Sequence, residues 1–402
     1  MLTLDEALER LLRDIRPLAE AESVATFDAL GRVLAAEVVS LLDVPPADNT
    51  SMDGYAVRAA DVPVAGTVLA VSQRIAAGVV GAPLRPGTAA RIFTGAEVPP
   101  GADAVVMQEQ CEAVDGGVRV AVVPQTGQWI RHRGEDVQQH SVVLASGTRL
   151  TPQALGLAAS VGAASLSVVR RPRVALLSTG DELVMPGEPL RPGAIYNSNR
   201  YTLRGLLQVF GCDCVDLGIV PDSLAATRDA LRRAAAGCDL IVSSGGVSVG
   251  EEDHLRPAVQ AEGRLDLWQV AIKPGKPLAF GEVRRADASS AWFVGLPGNP
   301  VSSFVTFALA VRPLLLRLQG ASPQPPQALS VRADFDWPRP DRRREFLRVR
   351  RNAEGALDLF ANQSSGVLTS AVWGDGVVDN PPGQVIRRGD PVRYLSFADL
   401  LA

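Results

Sequence analysis

At 402 residues, 47% apolar and 21% charged, the chain has the profile of a globular protein too long for one ordinary core, with two to four domains expected. Its net charge of −4 excludes the broad basic surface of a nucleic-acid partner, so an anionic ligand has to be held by local clusters. Four cysteines (Cys111, Cys212, Cys214, Cys238) form no C-x-x-C pair and three histidines (His132, His140, His254) give no zinc spacing, which points to reduced thiols. No signal-peptide pattern opens the chain. The longest apolar run, 304–318, is interrupted by Arg312 and Pro313 and reads as too short to span a bilayer. A cytoplasmic protein with no membrane partner is the expectation.

In chain order, Thr3-Leu4-Asp5-Glu6 is a capping box, and the apolar spacing from Leu4 to Ile15 predicts a helix that Pro17 ends. Val44-Pro45-Pro46 reads as a hinge before the polar turn 48–55. Short β segments at 68–71, 88–94, 104–109 and 118–123 predict a small β domain, followed by the mixed-charge loop 127–136. Thr151 and Pro152 supply the N-cap and first residue of another helix. The rhythm then changes. Apolar strands at 174–178, 214–220, 239–244 and 292–296 alternate with helices at 201–210, 223–236 and 300–318, the last with Asn299 as N-cap. That alternation predicts βαβ units and a parallel sheet. After a Pro-rich linker at 323–326, short strands from 330 to 397 fit a compact β barrel.

In open parallel sheets, ligands sit beyond the carboxyl ends of the strands. Here every such end carries small, polar or acidic residues, at 178–182, 221–223, 243–253 and 297–300. The turn Gly245-Gly246-Val247-Ser248-Val249-Gly250 has neither the G-K-[ST] of a P-loop nor a G-x-G-x-x-G fingerprint, which disfavours both of those nucleotide sites. Its bare N–H groups suit a phosphate. Glu182, Asp222 and Asp253 are candidate Mg²⁺ ligands, and for Asp222 and Asp253 a helix-cap reading stands equally. Lys273 and Lys276 flank Pro274-Gly275 in a stiff loop, read either as a solvated turn or as pre-placed cations; the apolar runs on both sides favour the second.

Taken together these pieces resemble the molybdopterin molybdenumtransferase family. The matching motifs are Asp48-Asn49 with Ser51-Met52-Asp53-Gly54-Tyr55-Ala56, Phe93-Thr94-Gly95-Ala96, Arg131 with Gly134-Glu135-Asp136, and Ser178-Thr179-Gly180-Asp181-Glu182-Leu183. Asn197-Ser198-Asn199, Ser244 with the glycine turn, Lys273-Pro274-Gly275-Lys276-Pro277 and Gly295-Leu296-Pro297-Gly298-Asn299-Pro300 follow in the family's order. The resemblance implies a multidomain fold: an elongated linker domain (1–45 with 137–171), a small β domain (46–136), a central parallel α/β molybdopterin-binding domain (172–321) and a C-terminal β barrel (327–402). It implies Mg²⁺-dependent insertion of molybdate into adenylylated molybdopterin with release of AMP, by a homodimer with a shared active site that receives its substrate from a molybdopterin adenylyltransferase.

Carried over by motif, Asp53, Thr94, Arg131 and Asp136 would come from one subunit, and Glu182, Asp222, Asp253, Lys273 and Lys276 from the α/β domain of the other. Ser244, Gly245, Gly246, Ser248, Pro297, Gly298 and Asn299 would bind the substrate, with Arg348 and Ser365 approaching from the barrel. His132 departs from the arginine common in that loop. The alternatives are an adenylyltransferase, whose turn reads Gly-Gly-Thr-Gly rather than Gly-Gly-Val-Ser, and a non-catalytic cofactor-binding scaffold.

Overall fold

The computed structural model describes residues 1–246, 254–321 and 325–401, and among these it contains three large sheets joined by short ladders. The opening helix, α1 (Leu4–Arg13), starts as its capping box dictates: the Glu6 N–H donates to Thr3 Oγ1 (3.2 Å) and the Thr3 N–H to Glu6 Oε2 (2.8 Å). Its apolar stripe of Leu4, Ala7 and Leu11 is buried in the same core as Leu314, Leu315 and Leu318. Nearby, Ala21–Ala25 pairs with Ser165–Val169 and Val38–Val39 with Val142–Leu144. Helix α2 (Pro152–Ser160), capped by Thr151, closes a separate small core over these ladders. The sheet between them runs in the order Ala104–Met107, Gly54–Val57, Thr88–Ile92, Thr67–Ile75, Gly117–Val120, Cys111–Val114.

The central sheet is built from β1 (Arg173–Thr179), β2 (Asp213–Val220), β3 (Leu240–Ser244), β4 (Gly263–Gln269), β5 (Pro277–Arg284) and β6 (Ser290–Leu296), in the spatial order β2-β1-β3-β6-β5-β4. Strands β2, β1, β3 and β6 are parallel, but β5 runs antiparallel to both of its neighbours. The expected parallel sheet is therefore mixed. The cause is loop length: a parallel crossover takes a dozen or more residues, and only a tight turn separates β5 from β6. Asp287 Oδ1 closes that turn by accepting from the Ser289 N–H (3.0 Å) and hydroxyl (2.6 Å).

Alternate residues of the buried strands serve two cores. Val174, Leu176, Leu240 and Val242 pack with α3 (Ser198–Val209) and the helix 300–318, while Ala175, Leu177, Ile241 and Phe293 pack with α4 (Leu224–Gly237) and α5 (Leu255–Glu262). The helix expected at 300–318 is present as α6 (Pro300–Leu318), and at 19 residues it is, against expectation, long and apolar enough by composition to cross a membrane. It is 89% buried inside the protein, as a core helix is. A wider π-turn at Phe307–Val311 accommodates Pro313, which lacks an N–H to donate. Interior proline costs about 3 kcal/mol, and each fully buried leucine returns roughly 1.5–3 kcal/mol, so Leu314, Leu315 and Leu318 outweigh it together.

The C-terminal sheet runs Ile272–Lys273, Arg344–Arg351, Gly376–Asn380, Pro391–Ser396, Leu329–Arg332, with Leu357–Leu359 on the second strand. Its first member belongs to the loop between β4 and β5, so the sheet is grafted directly onto the central unit.

Because Leu314 is fully buried, Leu314→Ala is expected to lower stability by roughly 2–5 kcal/mol in urea unfolding. Val372→Ala, at a position 81% exposed, is expected to change it by no more than about 0.5 kcal/mol.

Candidate functional site

Strand β3 is buried along its whole length and ends in Ser244-Gly245-Gly246. Both glycines have left-handed backbones (φ +87° and +66°), which side chains resist. Close approach excludes a side chain too: a Cβ on Gly246 would lie 2.8 Å from Thr179 Oγ1 and 3.0 Å from Leu255 Cβ, and one on Gly245 3.0 Å from the Thr179 carbonyl oxygen. The turn is therefore pressed onto the end of β1, and the Gly245 N–H donates to Leu296 O (3.1 Å) at the end of β6. Three parallel strand ends meet here, at the floor of a cleft of about 840 Å³.

Asn199, on α3, ties the floor together by donating to Ser244 Oγ (2.8 Å) and Gly298 O (2.7 Å). Asn197 caps the same helix, accepting from the Arg200 N–H (3.2 Å). Among the described residues, Asn197 Nδ2, Asn199 Oδ1, Ser178 Oγ and Ser243 Oγ are buried without a partner. Each such group costs about 1–3 kcal/mol, a penalty that fold stability alone does not explain. Pro297, Gly298 and Asn299 also line the cleft. Asn299 takes the N-cap position of α6, but its side chain makes no cap bond.

Glu182 and Asp222 line the same cleft. The cap of α4 is Ser223, which accepts from the Ala226 N–H (3.3 Å), so Asp222 is released from the capping role the sequence allowed it. No hydrogen bond or ion pair to a described residue engages either carboxylate. Two carboxylates with room for ligand phosphates and water suit Mg²⁺, and the described residues contain no denser group of metal ligands. Ser248 and Asp253 lie outside the described residues.

The lysines are placed differently from expectation. Pro277 reaches the cleft, but neither Lys273 nor Lys276 lines it. Lys273 stands opposite Glu345 in the joining ladder, with Nζ 3.3 Å from Glu345 Oε1 and 3.5 Å from Asp341 Oδ2. The Arg343 guanidinium holds the Asp341 carboxyl well below the usual carboxylate range. Lys276 is exposed, and its carbonyl accepts from the Val270 N–H (2.8 Å).

Arg348 is not at the cleft surface either. Only 1% exposed, it donates to Ser370 Oγ (3.1 Å), Phe346 O (3.2 Å) and Ser364 O (3.2 Å), and burial pushes its guanidinium down to about 10. It thereby fixes the loop whose Ser365 carbonyl accepts from the Val301 N–H (3.0 Å) in the first turn of α6. Gly366, next in that loop, lines the cleft.

A second cluster forms on the small β sheet. Asp53 Oδ1 accepts from the Thr94 N–H (2.7 Å) and hydroxyl (2.8 Å), and these bonds hold the carboxyl below its usual range. The Thr50 N–H donates to Ala96 O (3.0 Å), the Ser51 N–H to Trp129 O (3.0 Å), and Arg131 pairs with Asn49, so all three early motifs converge. The exposed Arg131 and Asp136 sit in the loop fastened by Arg133, whose N–H donates to Asp48 Oδ1 (2.7 Å) and whose Nε donates to Asp43 Oδ2 (2.6 Å). None of Asp53, Thr94, Arg131 or Asp136 lines the cleft of its own chain.

Sequence reasoning missed Arg91. Its guanidinium donates to Gly54 O (2.9 Å) and Gln108 Oε1 (2.6 Å) and lies 4.6 Å from the Phe93 ring centroid, bracing the Asp53 turn. Its position two residues before Phe93-Thr94 was the available signal.

Three family models match successive parts of the chain. Residues 2–162 match the model of the MoeA N-terminal region (domain I and II), residues 175–317 that of a probable molybdopterin binding domain, and residues 330–397 that of the MoeA C-terminal region (domain IV). A molybdopterin molybdenumtransferase of Haemophilus influenzae is 43% identical over 80% of this chain and 78% of its own length. Molybdopterin molybdenumtransferase 2 of Mycobacterium tuberculosis is 37% identical over 92% of each. The crystal structure of the molybdopterin biosynthesis moeA protein of Pyrococcus horikoshii superposes with a TM-score of 0.85 at 30% identity, covering 99% of this chain and 100% of that one. The chain belongs to the molybdopterin molybdenumtransferase family, whose enzymes act in molybdenum cofactor biosynthesis.

Proposed function

We propose that this enzyme inserts molybdate into the dithiolene of adenylylated molybdopterin and releases AMP, at a site completed by a second copy of the chain. The observation that carries the proposal is the pairing of a left-handed glycine turn with two carboxylates that have no partner among the described residues in one cleft, while the Asp53–Thr94 cluster lies outside it. In this reading the turn of Gly245 and Gly246, with Ser248, cradles the pterin phosphate, the Gly245 N–H holding the turn to Leu296 O while the Gly246 N–H serves the anion. Pro297, Gly298 and Asn299 wall the substrate in. Glu182, Asp222 and Asp253 would hold Mg²⁺, which when bound supplies Lewis-acid polarisation of the phosphoanhydride. Attack on the anhydride comes from molybdate or water, and no covalent nucleophile of the chain takes part.

Lys276, exposed beside the cleft-lining Pro277, is free to attract the molybdate oxyanion. Lys273 serves the same end from its place between Glu345 and Asp341, and the incoming oxyanion competes with those two carboxylates. Arg348 and Ser365 act through the loop that meets α6. Asp53, Thr94, Arg131 and Asp136 come from the second copy in a homodimer, which makes dimerisation part of the chemistry. An adenylyltransferase acting one step earlier supplies the substrate.

The same reading divides the chain into domains 1–45 with 137–171, 46–136, 172–321 and 327–402. Separate apolar cores in the linker ladders, the small β sheet and the C-terminal sheet support it, although α1 and part of the C-terminal sheet share the core of the central unit. A bridge from Ala333 back to Leu357 supports taking the last of these domains as a barrel.

With adenylylated molybdopterin and Mg²⁺, the purified enzyme is expected to release AMP only when molybdate is added, and to stop when the cation is chelated. Equal release without molybdate, or none with it, contradicts the transferase reading. Asp53→Ala is expected to reduce turnover at least about 10²-fold. Size-exclusion chromatography should still show a dimer; a monomer would assign Asp53 a structural role instead.

A further inference from the structure

The wall of the cleft made by residues 181–197 has a feature that phosphate and metal binding leave unused. Leu183–Val184 and Ile195–Tyr196 pair as a short parallel ladder, and the residues between them loop out and return. The Ile195 N–H donates to Glu182 O (2.8 Å) and the Asn197 N–H to Val184 O (3.0 Å), so Ile195 and Tyr196 are fastened next to the residue that carries the cleft carboxylate. Leu183, Ile195 and Tyr196 all line the cleft. Yet Ile195 is 57% and Tyr196 45% exposed, a large apolar area left open inside a concave site. The Tyr196 hydroxyl donates to Glu188 O (3.1 Å), which satisfies its one polar atom within the wall and pins the ring by its edge. An aromatic ring held this way gives contact area at little entropic cost.

We infer that Tyr196, flanked by Ile195 and Leu183, is the stacking subsite for the adenine ring of the adenylylated substrate and of the AMP it releases. The inference rests on the AMP-releasing reading above. The order of groups along the cleft carries it. The pterin phosphate takes the glycine turn and the anhydride lies at Glu182 and Asp222, so the nucleoside half continues onto the wall bonded to Glu182. A flat heteroaromatic ring matches an open tyrosine face, whereas the cation of this wall, Arg191, donates to the Asp181 carbonyl and does not line the cleft.

The test is calorimetric titration of the full-length protein with AMP in the presence of Mg²⁺. Tyr196→Ala is expected to weaken AMP binding roughly tenfold to a hundredfold, whereas Tyr196→Phe, which keeps the ring, retains wild-type affinity. Inorganic pyrophosphate, which has no ring, is expected to bind the wild type and both variants alike. Equal AMP affinity in the Ala and Phe variants overturns the subsite, as does a parallel loss of AMP and pyrophosphate in the Ala variant. A wild-type protein that fails to bind AMP at all removes the AMP-release reading and the subsite with it.

Discussion

The site depends on one steric constraint, the absence of any side chain where β3 leaves the sheet. Gly245 and Gly246 turn through left-handed backbone within 3 Å of Thr179 for any added Cβ, so β1 and β3 end in contact rather than splayed. Their contact sets the depth of the cleft. It also leaves bare backbone at the strand end, where anions are bound without a net positive charge. In a chain of net charge −4 this local capture replaces a basic surface. Asn199 depends on the same geometry, since its two donors reach Ser244 and Gly298 only when both loops lie at the floor.

Around that floor the chain leaves polar groups unsatisfied. Stability alone would favour pairing Asn197, Asn199, Ser178 and Ser243, and would not bring Glu182 and Asp222 to one cleft without cations. Two acids elsewhere are well paired: Asp239 is chelated by Arg170, and Glu345 gathers Trp337, Asn380 and Lys273. The scaffold is also linked to the site, because Lys273 and the Ser365 carbonyl join the C-terminal sheet to the loop and helix that border the cleft. A shift of that sheet would move Pro277 and Gly366 at the cleft wall.

Much of this layout was legible in the sequence because its signals are local. Thr3 with Glu6 and Thr151 with Pro152 announce helix starts through bonds made within one turn. Gly245 and Gly246 after a buried run announce a turn at a strand end. What was hidden depends on distant partners. An apolar run carries no direction, so β5 could not be seen to run antiparallel. Lys273 read as a pre-placed cation because Glu345 lies 72 positions away. Arg348 was expected to approach the substrate from the barrel, and its burial was hidden because its partners, Ser364 and Ser370, mark a fold-back visible only in three dimensions. Asn197 and Asn199 stood in a quoted motif, yet only the meeting of strand ends gives them a role.

The central claim is that the cleft of one copy and the Asp53–Thr94 cluster of another make one active site. Mixing two inactive variants tests this most directly: Asp53→Ala lacks one half of each site and Glu182→Gln the other. In a two-fold dimer with shared sites, random exchange of subunits leaves one intact site in each mixed dimer, so activity should return to about a quarter of wild type. Mixtures that exchange subunits, as mass spectrometry of the dimers would show, and yet remain inactive would place both halves of the chemistry within a single chain and contradict the account.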